Sequence, residues 1–334
     1  MCIPMRLDFL RGKTVLVTGG TGFFGERLVR RLFTESICKK IIVLSRDELK
    51  QHEMRQRFDD SAGRLRFFLG DVRDLQRLMR AFDGVDIVVH AAALKQVPAL
   101  EYNPLEAVKT NIWGTQNVID AALDNGVLKV VLISSDKAVQ PINLYGATKL
   151  CAEKMVIAAN AYRGKKHKTR LSAMRYGNVV GSRGSIVELI EKQRPSGVIT
   201  LTDKRMTRFW ISIEEVIDRV LHSIGVMEGE EIFVPKMKSL RVTDVLKVLA
   251  PECAVTTIGM RPGEKLHELL LTEYEVKHTK DLGRMYVVLP EFPATRQRSA
   301  HADKPSLPAG FVYESCHEDF LLPARMAAKV LKLK

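Results

Sequence analysis

The chain has 334 residues, 46% of them apolar, which is ordinary for a globular protein and suits one large α/β unit or two interlocked ones. Its net charge is +13, yet Lys and Arg are spread along the chain without interleaved aromatics; this argues against a nucleic-acid module and suits a protein that holds phosphates of small anions. No apolar run approaches a membrane span, and five scattered cysteines without a CxxC pair point to free thiols in a reducing cytoplasm rather than to a metal site or disulfide frame.

Charges at Arg6, Asp8 and Arg11 and the lack of a long apolar stretch argue against a secretory signal. Lys13 to Thr18 reads as a buried strand, followed at once by Gly19-Gly-Thr-Gly-Phe-Phe-Gly25 and a helical pattern from Glu26 to Phe33. Gly20, Gly22 and Gly25 fit G-x-G-x-x-G between a strand and a helix. There, glycines permit a tight turn and let a pyrophosphate approach the backbone at the helix N-terminus.

A second strand, Lys40 to Leu44, ends in Ser45-Arg46-Asp47. Ser45 stands where an acid would hold the ribose of NAD, and the Arg46 guanidinium can pair with a 2′-phosphate, so NADP is expected. A shift of one residue would instead make Asp47 the ribose ligand. Lys50 adds a second cation or is solvated at a helix start. Leu65 to Val72 is a strand with a polar end at Asp71, and Asp86 to His90 is another. Ala91-Ala-Ala93 follows, small enough for a flat cofactor to lie against the backbone, and Lys95 just beyond is placed to meet phosphate or sugar. The expected cofactor set is therefore Gly19, Thr21, Gly22, Phe23, Phe24, Gly25, Ser45, Arg46, Lys50, Asp71, Val72, Ala91, Ala93 and Lys95.

Pro104 to Leu123 reads as one long helix. Val130 to Ile133 is a buried strand running into Ser134-Ser-Asp-Lys-Ala-Val-Gln-Pro-Ile-Asn-Leu-Tyr-Gly-Ala-Thr-Lys149. Tyr145 opens a helix to about residue 163, and Lys149 lies one turn on, on the same face. A nearby ammonium favours the phenolate, so the pair suits removal of a proton from a hydroxyl; both are also counted with the cofactor site. Asp136 and Lys137 lie just past a strand's carboxyl end, where open α/β sheets bind ligands. Leu171 to Arg175 closes a βα alternation that means a doubly wound parallel sheet, the Rossmann arrangement.

After Tyr176 the regularity breaks. Gly177 to Ser185 is a glycine-rich loop, 213–227 is helical, Glu231 to Pro235 is a strand, and Leu240 to Leu249 is helical. Met260 to His267 reads as a charged turn entering a helix. Arg205, Arg208 and Arg261 suit diphosphate recognition. Expected domains are 1–177 with 207–235 for the cofactor, and 178–206 with 236–289 as a smaller C-terminal substrate-binding domain. The tail, 290–334, has no chemical reading.

Thr18-Gly-Gly-Thr-Gly-Phe-Phe-Gly25, Tyr145-xxx-Lys149 and Arg261-Pro-Gly-Glu264 resemble the extended short-chain dehydrogenase/reductases that act on nucleotide sugars. Ser135-Asp-Lys-Ala138, Pro141 to Lys149, Arg175 to Gly184, Arg205 to Trp210 and Arg261 to Lys265 are most similar to the inverting 4,6-dehydratases of UDP-N-acetylglucosamine that open pseudaminic acid synthesis. Asp136-Lys137 carries that closer likeness, since retaining dehydratases usually have Asp-Glu there. Phe23 departs from the Ser frequent in that group. The resemblance spans roughly residues 13 to 270.

The resemblance implies a cytoplasmic homo-oligomer, with Tyr145 and Lys149 deprotonating the sugar 4-hydroxyl and recycled NADP carrying hydride from carbon 4 to carbon 6. It implies that neutral Lys137, its pKa lowered, removes the hydrogen on carbon 5, while Asp136, its pKa raised, protonates the departing 6-hydroxyl. A plain Asp136–Lys137 ion pair is the alternative. Lys95, Ser135, Asn178, Ser182, Arg183, Arg208, Arg261 and Glu264 would hold UDP-N-acetylglucosamine. A 5-inverting dehydratase of a surface-polysaccharide deoxysugar pathway, or a non-catalytic NADP sensor, are the competing readings.

Overall fold

Runs such as Val15-Leu-Val17 and Val130-Val-Leu-Ile133 are buried throughout, as strands covered by helices on both faces require. The computed structural model describes residues 7–35, 38–162, 164, 168–182, 184–293 and 299–331. Its first six strands are β1 (Thr14–Thr18), β2 (Lys40–Ser45), β3 (Leu65–Leu69), β4 (Ile87–His90), β5 (Lys129–Ile133) and β6 (Arg170–Met174). Next come β7 (Asn178–Val179), β8 (Val198–Leu201), β9 (Thr207–Ile211), β10 (Ile232–Pro235), β11 (Lys238–Arg241) and β12 (Ala254–Thr257). The last four are β13 (Leu269–Leu271), β14 (Thr279–Asp281), β15 (Met285–Val288) and β16 (Tyr313–Glu314).

The main sheet runs β14-β15-β10-β6-β5-β4-β1-β2-β3. From β10 to β3 all neighbours are parallel; β15 and β14 add antiparallel at the edge. Strand order reverses between β1 and β4, which opens a crevice at their carboxyl ends. The doubly wound Rossmann expectation stands.

A second apolar cluster gathers Ile190, Ile199, Leu201, Met206, Trp210, Leu240, Val245 and Leu246. It is built on the β11-β9-β7 sheet and the β12-β8 pair. No helix among the described residues is long and apolar enough to cross a membrane.

Three sequence expectations need correction. Pro104 to Leu123 is not one regular helix: Pro104–Ala107 and Gly114–Asp124 are joined by a π-helical stretch, Val108–Trp113. The wide turn places Asn111, whose amide bonds the backbone of Leu94 in both directions and the Thr148 hydroxyl. Leu240 and Arg241 belong to β11, and the helix starts at Val242. The turn 260–267 leads through bends at Leu266 and His267 into β13 rather than into a helix, and Arg208 takes the carbonyls of Lys265 and Leu266. The tail does pack on the body: β16 pairs antiparallel with β13. Fully buried Tyr313 sits among Phe209, Tyr286 and Phe320, its hydroxyl bonded to Met237 N at 2.6 Å and Pro235 O at 3.0 Å.

Candidate active site

At the end of β1 the backbone turns through Gly19 at φ +63°, and a Cβ there would lie 2.9 Å from the backbone of Ala92. A Cβ at Gly25 would lie 2.5 Å from the Gly19 carbonyl oxygen. The helix Phe23–Thr34 therefore starts tightly against the strand end, and its N-cap, Gly22, offers no side-chain cap to the first-turn N–H groups. Such a cradle fits a pyrophosphate. The alanines after β4 have a packing reason as well, since the Ala91–Ala92 backbone abuts Gly19. Gly25→Ala is expected to force the turn open and weaken dinucleotide binding by at least about tenfold, with circular dichroism unchanged; titration calorimetry with NADP⁺ checks it.

The end of β2 is tied to the turn by the Thr21–Ser45 hydroxyl contact at 2.8 Å. Asp47 caps the helix Glu48–Gln56, accepting from Lys50 N at 3.0 Å and Lys50 Nζ at 2.5 Å, so its carboxyl is held below the usual range. Lys50, expected either as a second cation for a phosphate or as a solvated helix-start lysine, thus lies half-exposed against the cap. Arg46 keeps one long contact, 3.8 Å, to Asp71, whose carboxylate is gripped by Arg73 at 2.8 and 3.0 Å. Val72 is buried beside Gly114, its carbonyl bonded by Asn117.

The strand β5 ends in a 3-10 turn, Asp136–Ala138, capped by Ser135, whose hydroxyl donates to Asp136 Oδ1 at 2.8 Å. Lys137 Nζ lies 3.1 Å from Asp136 Oδ1 and 3.4 Å from Glu268 Oε1. Burial works to lower the lysine pKa, but Asp136 and then Glu268 outweigh it, and the balance is upward. This direction is opposite to the lowering that the resemblance implies, because the amine sits between the Asp136 and Glu268 side chains.

The helix Leu144–Tyr162 packs against this turn so closely that a Cβ at Gly146 would lie 2.2 Å from the Lys137 carbonyl oxygen. That glycine brings Tyr145 to the dyad. Burial raises the Tyr145 pKa, opposed by the Lys137 charge and a Ser135 hydrogen bond, and the balance is upward. Lys149 is buried, donates to Ile133 O at 2.6 Å, and is lowered by burial to about 8. Lys137 also bears on the phenol, its charge working to lower the Tyr145 pKa. Lys95 is near enough to feel Lys137; burial first, then that charge, lowers it.

Of the residues expected to face the substrate, Asn178 and Ser182 line the loop after β6, half-buried. Arg183 lies outside the described residues. Arg205 pairs with Asp203 on the surface. Buried Arg208 is spent largely on Thr207, Lys265 and Leu266 carbonyls, so its main work is to shape the 261–268 turn. Arg261 stands exposed on that turn. Glu264 Oε2, Glu268 Oε2 and Asp136 Oδ2 are buried without a hydrogen-bond partner, the pattern of a polar site shaped for hydroxyls or protons. Sequence reasoning missed Glu268, Asn143 and Lys265. Asn143 holds Gly263 O at 2.7 Å and Lys265 holds Val139 O at 2.5 Å, tying the turn to the catalytic segment. No local pattern announces these contacts, which join residues more than a hundred positions apart.

Residues 15–290 match the family described as polysaccharide biosynthesis protein. A Campylobacter jejuni protein named UDP-N-acetylglucosamine 4,6-dehydratase (inverting) is 48% identical over 290 residues, 86% of each chain. A Rickettsia prowazekii protein named UDP-glucose 4-epimerase is 41% identical over 282 residues, 82% of each chain. The X-ray structure of Pen from Bacillus thuringiensis is similar with TM-score 0.88 and 34% identity, covering 98% of this chain and 99% of that one. That of DesIV, a dTDP-glucose 4,6-dehydratase from Streptomyces venezuelae with NAD bound, shares the fold at TM-score 0.67 and 24% identity, over 76% and 86% of the two chains.

Proposed function

The chain belongs to the polysaccharide biosynthesis protein family, and we propose that it is a UDP-N-acetylglucosamine 4,6-dehydratase that inverts sugar carbon 5, a hydro-lyase of the extended short-chain dehydrogenase/reductase type. The observation that carries the reading is the Asp136–Lys137 contact of 3.1 Å at the carboxyl end of β5, beside the helix of Tyr145.

A nicotinamide dinucleotide, held at the Gly19–Gly25 turn, supplies reversible hydride acceptance for carbons 4 and 6. Ser45 in place of an acid and the half-exposed guanidinium of Arg46 support NADP over NAD. Tyr145 takes the proton of the 4-hydroxyl. Lys137 and Asp136 then work as two tautomers of one pair. Passing one proton across their contact turns ammonium and carboxylate into amine and carboxylic acid, without change of net charge. The amine removes the hydrogen on carbon 5, which the ketone at carbon 4 acidifies. The carboxylic acid protonates the departing 6-hydroxyl, which leaves as water, and the pair returns to its ionic form. A solvent proton then adds to carbon 5 on the opposite face, balanced by the 4-hydroxyl proton that Tyr145 took and gives back to solvent.

Residues 178–206 and 236–289 serve the nucleotide sugar in this reading, with Arg261 and Glu264 on the UDP. Arg261→Ala is expected to raise KM for UDP-N-acetylglucosamine at least about tenfold with NADP affinity kept; an unchanged KM removes the residue from the site. The 4-keto-6-deoxy product suits the first step of pseudaminic acid synthesis. The whole reading is tested by incubation with UDP-N-acetylglucosamine and no reductant. A product lighter by one water supports it, and one of unchanged mass, as from 4-epimerisation, overturns it.

A further inference from the structure

The Lys137 amine has a second buried carboxylate within reach that none of the steps above uses. Glu268 lies just before β13, its side chain almost wholly enclosed. Its Oε1 is 3.4 Å from Lys137 Nζ and 3.7 Å from Arg208 Nε, while Oε2 is buried without a hydrogen bond. The backbone around it is fixed from the tail: Ser315 Oγ accepts from Glu268 N at 2.8 Å, and Ser315 N donates to Glu268 O at 2.8 Å. The backbone is thus anchored, and the enclosed side chain reaches from it to both cations.

Building on the dehydratase reading, we propose that Glu268 is a positioning residue. It is the common counter-ion of the proton-abstracting Lys137 and of Arg208, which shapes the substrate turn, and it sets where the amine points and how strong a base it is.

The chemistry follows from charge. A hydrogen on carbon is a weak acid, so its removal favours a base whose conjugate acid is stable. Asp136 can take the lysine proton before the step, but once it has protonated the leaving hydroxyl it is an anion again. Glu268 takes no part in that transfer, and its carboxylate beside the amine favours the ammonium that forms as carbon 5 loses its hydrogen. The other charged or titratable groups facing the lysine are Asp136, Tyr145, Arg208, Lys95 and Lys265; Asp136 and Tyr145 favour the ammonium and the cations oppose it. Without Glu268, Arg208 would meet Lys137 unscreened.

The test is the pH profile of dehydration by Glu268→Gln, which keeps shape and removes charge. Activity requires the one proton shared by Lys137 and Asp136, so its alkaline limb marks the loss of that proton. Removing an anion lowers the pKa of the ammonium, so the limb is expected to move down by at least about one pH unit. The turnover should fall about tenfold or more with KM within about threefold, and Glu268→Asp, which keeps the charge, should restore the limb. A limb that stays in place in Glu268→Gln overturns the proposal while leaving the dehydratase reading intact; a wild type that forms no dehydrated sugar defeats that reading instead. Should Glu268→Gln not fold, carbon-13 NMR of lysine-labelled wild type decides, with the Lys137 signal identified by its loss in Lys137→Ala. Titration above the ordinary lysine range supports the double clamp, and titration within or below it overturns it.

Discussion

Lys137→Ala is expected to lower dehydration by about a thousandfold or more and to abolish solvent exchange at sugar carbon 5, with KM little changed. The substitution removes the amine that abstracts the carbon 5 hydrogen. It also leaves Asp136 and Glu268, both nearly inaccessible, without the cation between them. Glu268 still has Arg208 at 3.7 Å, but buried Asp136 loses its cation, which favours its protonated form. Asp136 can then still act as an acid, which is why the exchange measurement is more telling than turnover. Exchange in deuterium oxide, followed by proton NMR of the recovered nucleotide sugar, reports the base alone. Wild-type exchange in Lys137→Ala would remove the lysine from the step.

Arg175→Met is expected to destabilise the fold by about 3–5 kcal/mol. Arg175 is the largest fully buried side chain among the described residues. All five guanidinium hydrogens are used. Nε and Nη2 fork onto Glu153 at 3.1 and 2.7 Å, Nη1 and Nη2 bond Glu275 at 3.0 and 2.8 Å, and Nη1 also reaches Leu270 O at 2.9 Å. Glu153 stands one helical turn from Lys149, and Leu270 is in β13 beyond Glu268, so this group joins the tyrosine helix to the strand behind the dyad. Methionine would leave Glu153, fully buried, and Glu275, partly buried, without their cation.

The pH dependence gives a signed check. Burial tends to raise the Glu275 pKa, but Arg175 and the Thr272 hydrogen bonds outweigh it, and the folded value is lowered. In wild type this group contributes stability above its unfolded pKa and loses it as pH falls through the folded one. In Arg175→Met the unpaired carboxylates bind protons more readily folded than unfolded, so the variant should gain stability as pH falls from 7 toward about 5. Urea unfolding at both pH values measures this, and parallel behaviour of the two proteins would contradict it.

Much of the cofactor side was legible in the residues. A glycine turn between an apolar run and a helical pattern has few other uses, and the continuous Val, Ile and Leu runs announce strands buried on both faces. The Asp47 cap and its contact with Lys50 were less legible, because the acid reads equally as a ribose ligand. The sugar side was less legible, because its geometry is long-range. The 260–267 turn reads as the entry to a helix, yet Arg208, nearly sixty residues upstream, captures the carbonyls of Lys265 and Leu266, and Ser315, forty-seven downstream, captures Glu268 N. Likewise, burial and neighbouring cations alone gave Lys137 a lowered pKa; the carboxylate that helps reverse the sign is distant in sequence. The tail carried no motif because its part is packing: Tyr313 and Ser315 brace β13 from behind.

The most direct measurement is the reaction of the wild-type protein with UDP-N-acetylglucosamine in deuterium oxide without added reductant, read by mass and proton NMR. The expected product has lost one water, carries deuterium at carbon 5, and shows the inverted configuration there. Loss of water with carbon 5 unchanged in configuration, or a product that has lost none, would contradict a lysine–aspartate pair working on that carbon.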